Sequence, residues 1–350
     1  MTDSRPILGI TMGDPAGIGP EVAVKAFSDA AIYNSCRPLI VGDAGVIADA
    51  VRFCGLDLGV RPVKSAGEAA FLPGQIDVYD LANVDIAKLQ KGEISAMAGD
   101  VAFRTVVETI RLAMAGEIDG TVTGPVNKES LHMAGHLFSG HTEIYAHYTG
   151  TKKYAMLLVE DDLRVIHVST HVSLREACDL VKKERILETI ELMHQACVQL
   201  GIASPRIAVA GLNPHAGDGG LFGWEEKTEI IPAIEEAVSR GYRVTGPVPA
   251  DTLFPKAKGG SFDGCVAMYH DQGHIPFKMV GFTWDSQTGK MKSVKGVNVT
   301  LGLPIIRTSV DHGTAMEIAG KGIASPDAML LAIDYAVRLF KNRIDVTPHL

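Results

Sequence analysis

The chain has 350 residues, of which 46% are hydrophobic and 21% charged, and a formal net charge of −8. That length suits two domains or one large α/β unit with a sizeable core. The acidic balance argues against a nucleic-acid binder, although local Lys and Arg could still receive a small anionic substrate.

The 5 cysteines (Cys36, Cys54, Cys178, Cys197, Cys265) form no CxxC pair, as expected of reduced thiols in a cytoplasmic protein. MTDSRPILGITMGDP lacks the long apolar region of a secretory signal. No run approaches the roughly 18 apolar residues of a membrane span, so no membrane contact is expected.

In chain order, ILGITM reads as a buried strand, followed by a glycine-rich turn and a helix from about Pro20, where the missing N–H is tolerated. RPLIVGD is a second strand. GDVAFRTVVETIRLAMAGE repeats its apolar residues every three or four positions, the pattern of an amphipathic helix, with Gly116 at its C-cap. DGTVTGPVNKE is strand, turn and helix start. KYAMLLVEDDLRVIHVSTH reads as two adjacent strands with EDD in the hairpin. KERILETIELMHQACVQLG is another amphipathic helix, RIAVAGLN and FDGCVAMYH are strands, and SPDAMLLAIDYAVRLFKN is a C-terminal helix capped by Ser325. The β–α alternation predicts an α/β protein with a mainly parallel, doubly wound sheet. GFTWDSQTGKMKSVKG, from Gly281 to Gly296, reads as an exposed loop or hairpin.

Three histidines follow apolar, β-branched runs: His171 in VIHVSTH, His215 in IAVAGLNPHAG and His270 in GCVAMYHDQG. In an open α/β sheet, ligands bind outside the carboxyl ends of the strands. Three imidazoles delivered there could hold one divalent metal and leave a position for substrate. Read singly, each is an ordinary loop histidine; the repeated context is what makes the set a candidate.

Other motifs carry weaker chemistry. GDPAGIGPE (Gly13–Glu21) does not have GxGxxG spacing and suits a structural βα turn as well as a binding loop. SGHTE (Ser139–Glu143) reads as a helix start with Thr142 near the cap, where His141, the Thr hydroxyl and free N–H groups could receive an anion. Lys278, Asn298 and Arg307 offer a point charge, an amide and a planar fork for carboxylate or phosphate. Lys128 in PVNKE and Asp251 in PADTLF are candidates to move a proton. Either could instead be structural, as a helix-start charge or as a partner orienting a histidine.

DHGTAMEIAGKGIASPDA (Asp311–Ala328) resembles the adenosine-binding segment of isopropylmalate and isocitrate dehydrogenases. The resemblance implies NAD binding without a Rossmann fingerprint, with His312, Gly313, Thr314 and Ala315 in the cofactor segment. Together with ITMGDPAGIGPE, TGPVNKES, GHTE, VSTH, GLNPHAGDGG, ADTLF, YHDQG and NVTLGLPIIRTSVDHGTA, it makes nearly the whole chain similar to the 4-hydroxythreonine-4-phosphate dehydrogenase family.

That resemblance implies a two-domain α/β/α subunit of the isocitrate/isopropylmalate-dehydrogenase type. The expected split is 1–130 plus 300–350, with the cofactor segment, and 131–299, with metal and substrate residues and dimer contacts. It also implies a homodimer with a shared active site, one divalent metal (zinc, magnesium or cobalt) on His171, His215 and His270 with one ligand from the partner subunit, and substrate contacts from His141, Thr142, Lys278, Asn298 and Arg307. The implied reaction is NAD-linked oxidative decarboxylation of a phosphorylated 3-hydroxy acid. AGDVAFR, VIHVSTHVSLR, GLFGWEE and YHDQGHIPFK look more like the 4-phospho-D-threonate and 4-phospho-D-erythronate branch than the vitamin B6 branch acting on 4-phosphooxy-L-threonine. The rivals are a dihydrodiol dehydrogenase of the same family, a metal-dependent hydrolase or aldolase on phosphorylated sugars, and a non-enzymatic binding protein; the hydrolase or aldolase and the binding protein need no adenosine segment.

Overall fold

The computed structural model describes residues 3–286 and 290–342. The strands are β1 Ile7–Thr11, β2 Arg37–Gly42, β3 Gly59–Val63, β4 Gln75–Asp80, β5 Gly120–Thr123, β6 Ala155–Glu160 and β7 Leu163–His167, then β8 Ile207–Ala210, β9 Val244–Val248, β10 Gly264–Ala267, β11 Phe282–Asp285, β12 Lys290–Val294, β13 Val297–Leu301 and β14 Ile306–Val310. The chain divides into two compact units, one of residues up to Lys152 with Leu303–Lys341, the other of Lys153–Gly302.

In the first unit the strands run β3-β4-β2-β1-β5-β14, all parallel. Strands such as ILGIT and GTVT are buried along nearly their whole length, as parallel strands covered by helices must be. One core cluster joins Leu39, Val41 and Val63 to Leu112 and Ile118; another joins Phe103, Val106 and Ile110 to Leu131, Ile144 and Tyr145.

That second cluster explains a difference from the expected domain split. The helices Lys128–Met133 and His141–Thr149 pack on the long helix Ala96–Met114 through Leu131, Ile144 and Tyr145, so 131–152 belongs to the first unit.

In the second unit, β13 pairs antiparallel with β6, and β6 with β7 across Asp161 and Asp162; β7, β10, β8 and β9 then continue in parallel. Its core gathers Leu158, Val165, Ala208, Leu253, Cys265 and Phe277. The stretch 281–296 contains a hairpin, β11 against β12. Among the described residues no helix is long and apolar enough to cross a membrane.

Gly99 shows how tightly the first unit is closed. A Cβ at this position would fall on the backbone of the neighbouring helix, 2.7 Å from the Leu131 nitrogen and closer still to the Ser130 carbonyl. Backbone cannot move aside as a side-chain tip can. Gly99→Ala should therefore destabilise the protein by roughly 1–3 kcal/mol through overpacking. A urea midpoint unchanged from the parent would show that the two helices are not in this contact.

Candidate active site

The second unit brings the strand-end histidines to one edge. β7, β10 and β8 are neighbours and parallel, so their carboxyl ends emerge together. His171 lies just beyond β7, His215 just beyond β8, and His270 beyond β10 as the first residue of the helix His270–Gly281. The rings of His171 and His270 are 5.9 Å apart between centroids. His270 Nδ1 meets Asp271 Oδ1 at 2.7 Å, an arrangement that orients the ring and leaves Nε2 to act as the donor atom toward a ligand.

His215 is exposed and has left-handed backbone (φ 54, ψ 28), which costs a residue with a Cβ about 1–2 kcal/mol. Its ring lies 6.3 Å from that of Phe222. Among the described residues, no three His, Cys, Asp or Glu side chains are grouped closely enough to hold a metal ion. The donor chemistry nevertheless fits a borderline divalent cation: two neighbouring imidazoles, one of them oriented by a carboxylate, and a third histidine at the same sheet edge.

Two further histidines, not expected from the sequence, back this pair. His274 stacks on His270 at 3.6 Å, and its Nδ1 lies 3.1 Å from the His270 carbonyl. His167 sits 4.6 Å from His274, only 1% exposed, with neither ring nitrogen hydrogen-bonded. Burial, then the neighbouring histidines, holds His167 well below its usual pKa and His274 at about 4. The signal was present in the spacing: VIHVSTH and YHDQGH each place two histidines four apart, one helical turn in the second case.

On the helix His270–Gly281, the Lys278 ammonium lies 4.3 Å over the Phe282 ring. Asn298, in β13, has an enclosed Oδ1 without a hydrogen-bond partner. Asp251 is exposed in the first turn of the helix Ala250–Lys258.

The first unit buries a cationic side chain. Arg307, in β14, is 2% exposed; its Nη2 donates to Thr123 Oγ1 at 2.8 Å and its guanidinium lies 5.5 Å from the Tyr145 ring. Burial lowers its pKa to about 10, so it stays charged at neutral pH. His141 opens the helix His141–Thr149 with Nε2 enclosed and unpartnered. Burial and the Arg307 charge hold it well below its usual pKa. Burial raises the Tyr145 phenol to about 12. Thr142 is the second residue of this helix rather than its cap; Gly140 takes that place, without a side-chain bond.

The GDPAGIGPE motif resolves toward a scaffold. Ile18 N donates to the Thr314 carbonyl at 3.0 Å. Glu21 Oε1 accepts from Ala324 N at 2.6 Å and Oε2 from Gly322 N at 3.2 Å, while Lys25 Nζ donates to the Gly322 and Ala324 carbonyls at 2.9 and 2.6 Å. One ion pair thus clips both polar sides of the segment that follows His312, Gly313, Thr314 and Ala315. In that run His312 Nδ1 lies 2.9 Å from the Gly313 carbonyl, Thr314 is buried and Ala315 is left-handed. Lys128 stands exposed at the start of the helix Lys128–Met133, which Asn127 caps.

The family described as pyridoxal phosphate biosynthetic protein PdxA matches residues 34–336. The chain is similar to the D-threonate 4-phosphate dehydrogenase of Cupriavidus necator, 48% identical over 344 residues that cover 98% of this chain and 100% of that one. Among solved structures it is similar to a 4-hydroxythreonine-4-phosphate dehydrogenase from Burkholderia phymatum (TM-score 0.81, 46% identity, 96% of this chain and 99% of that one). Another, from Klebsiella pneumoniae, gives a TM-score of 0.83 at 41% identity over 96% of this chain and 100% of that one.

His141 yields a pH prediction. Its folded pKa lies below the unfolded value of about 6.5, so the unfolded chain takes up a proton that the folded chain refuses. Its contribution to stability is complete above that pH and is lost as pH falls through it, by at most about 1.4 kcal/mol per pH unit. His141→Asn should flatten the pH dependence of the urea midpoint between about pH 7 and 5. Identical slopes in parent and variant would show that this imidazole titrates normally.

Proposed function

The chain belongs to the PdxA family and is a dehydrogenase, and we propose that it oxidises and decarboxylates D-threonate 4-phosphate in a metal-dependent, NAD-linked reaction. The observation that carries this reading is the adjacency of β7, β10 and β8, which delivers His171, His270 and His215 to one sheet edge. These three positions would hold the cation, two of them from the sheet edge of one subunit and the third from the matching edge of its partner in a homodimer. When bound, NAD⁺ would take up the hydride and the cation would polarise the reacting hydroxyl and offset the charge left by decarboxylation.

The chain's own groups do the rest. Arg307 presents a buried planar fork to an anionic end of the substrate. His141, neutral and enclosed, offers a hydrogen bond without adding charge beside that guanidinium. Thr142, Lys278 and Asn298 supply a hydroxyl, an ammonium and an amide. His312–Ala315 would line the cofactor segment, held by Glu21 and Lys25. Lys128 and Asp251, both exposed at helix starts, are the groups assigned to proton movement. Oxidation at the 3-hydroxyl gives a β-keto acid, whose loss of CO₂ leaves a three-carbon hydroxyketone phosphate.

The test is NADH formation with D-threonate 4-phosphate, D-erythronate 4-phosphate and 4-phosphooxy-L-threonine in turn, before and after chelation. D-threonate 4-phosphate should give the highest kcat/KM, chelation should abolish turnover and cobalt or zinc should restore it. Full turnover in exhaustively metal-free enzyme would overturn the metal assignment. No NADH with any of the three would return the rival readings.

Arg307→Lys keeps the charge and loses the fork. It should cost on the order of 2 kcal/mol in kcat/KM for the phosphorylated substrate, with little change in KM for NAD⁺. Parent-like kinetics on every phosphorylated substrate would show that the anion lies elsewhere.

A further inference from the structure

Beyond β8 the backbone does something unusual. His215 (φ 54, ψ 28), Ala216 (φ 54, ψ 44), Gly217 (φ 78, ψ −8), Asp218 (φ 41, ψ 55) and Gly219 (φ 70, ψ 15) are left-handed in succession. L-residues visit this region singly, not as runs, because Cβ crowds the following carbonyl. Gly217 and Gly219 bear it without strain; His215, Ala216 and Asp218 do not. Strain of this kind persists only where the surroundings over-determine the conformation, and it gathers at functional sites.

The determinant is Glu226. It is 3% exposed and opens a π-helical turn, Glu226–Ile230, a rare form often kept at functional positions. Its Oε1 accepts from Asn213 N at 2.8 Å and its Oε2 from Asn213 Nδ2 at 2.9 Å, pinning the residue just before Pro214 and His215. Glu225 Oε2 accepts from the same amide at 2.7 Å. The turn also closes around the carboxylate itself. A Cβ on Gly217 would stand 2.6 Å from Glu226 Oε2, and one on Gly211 would stand 3.3 Å from Oε1. The absent side chains make the space that the carboxylate fills.

We propose that Glu226 is a positioning residue whose buried carboxylate holds the left-handed turn that carries His215. The consequence for metal binding rests on the reading of His215 as a ligand; the consequence for the turn does not. Glu226→Gln keeps the shape but turns a donor toward the Asn213 amide, which is already a donor. Adding Asn213→Asp together with Glu225→Gln reverses the polarity of all three side chains, so that both glutamine amides donate to the new carboxylate and the bonds are restored.

Hydrogen-exchange mass spectrometry of the peptide spanning 211–222, together with cobalt titration of the intact protein, tests this. In Glu226→Gln the peptide should exchange about tenfold faster or more, cobalt affinity should fall about tenfold or more, and the triple variant should recover both. If Glu226→Gln fails to fold, Asn213→Ala removes the side-chain donor and should accelerate the same peptide. Parent-like exchange in a folded variant, or acceleration spread evenly over the whole chain, would overturn the proposal. If the parent itself binds no cobalt, the ligand reading falls, and the exchange of this peptide alone judges Glu226.

Discussion

The site depends on the parallel register of three strands. Val165 faces Cys265 and Ile166 faces Val266 across β7 and β10, while Cys265 faces Ala208 and Val266 faces Val209 across β10 and β8. Parallel pairing forces each chain exit to the same edge. Three stretches far apart in sequence therefore open side by side, each with a histidine. All three strands are buried along their length, so a slip of one residue would carry every side chain to the opposite packed face and break its fit there. The core thus fixes where the imidazoles stand before any ligand arrives.

Within each unit the protein holds polar groups in states they would not adopt in water. His167 and His274 are kept neutral by burial, and Arg307 is kept charged beside Tyr145 and Thr123. Such placements cost stability, which a core of this size can absorb. For the proposed reaction they would provide preorganisation: groups already desolvated need no rearrangement when charge develops.

The sequence was most legible where one principle acted alone. The short apolar or β-branched runs in β1, β2, β5, β7, β8 and β10 announced strands, and the helices Ala96–Met114 and Lys183–Gln199 announced themselves by periodicity. Among the strands not read from the sequence, which include β13, punctuation obscures β3, GVRPV, and β9, VTGPV, which end their ladders and carry prolines that edge strands tolerate. β4 was also passed over, for its run QIDVYD alternates only loosely. In the site, the strand-end histidines could be read, but His167 and His274 could not be assigned without knowing that a strand end and a helix start face each other. PHAGDGG announced a turn through its glycines; its handedness depends on Glu226, which no local pattern reveals. Likewise Glu21 and Lys25 look like an ordinary helix pair until the segment 322–324 is folded onto them.

The central claim is that the edge of β7, β10 and β8 is a metal centre. An anomalous difference map from crystals grown with cobalt and collected at its absorption edge tests it most directly. The account predicts a single strong peak per subunit within coordination distance of the His171 and His270 imidazoles, with His215 completing the set. A peak elsewhere, or none at full cobalt saturation, would contradict it.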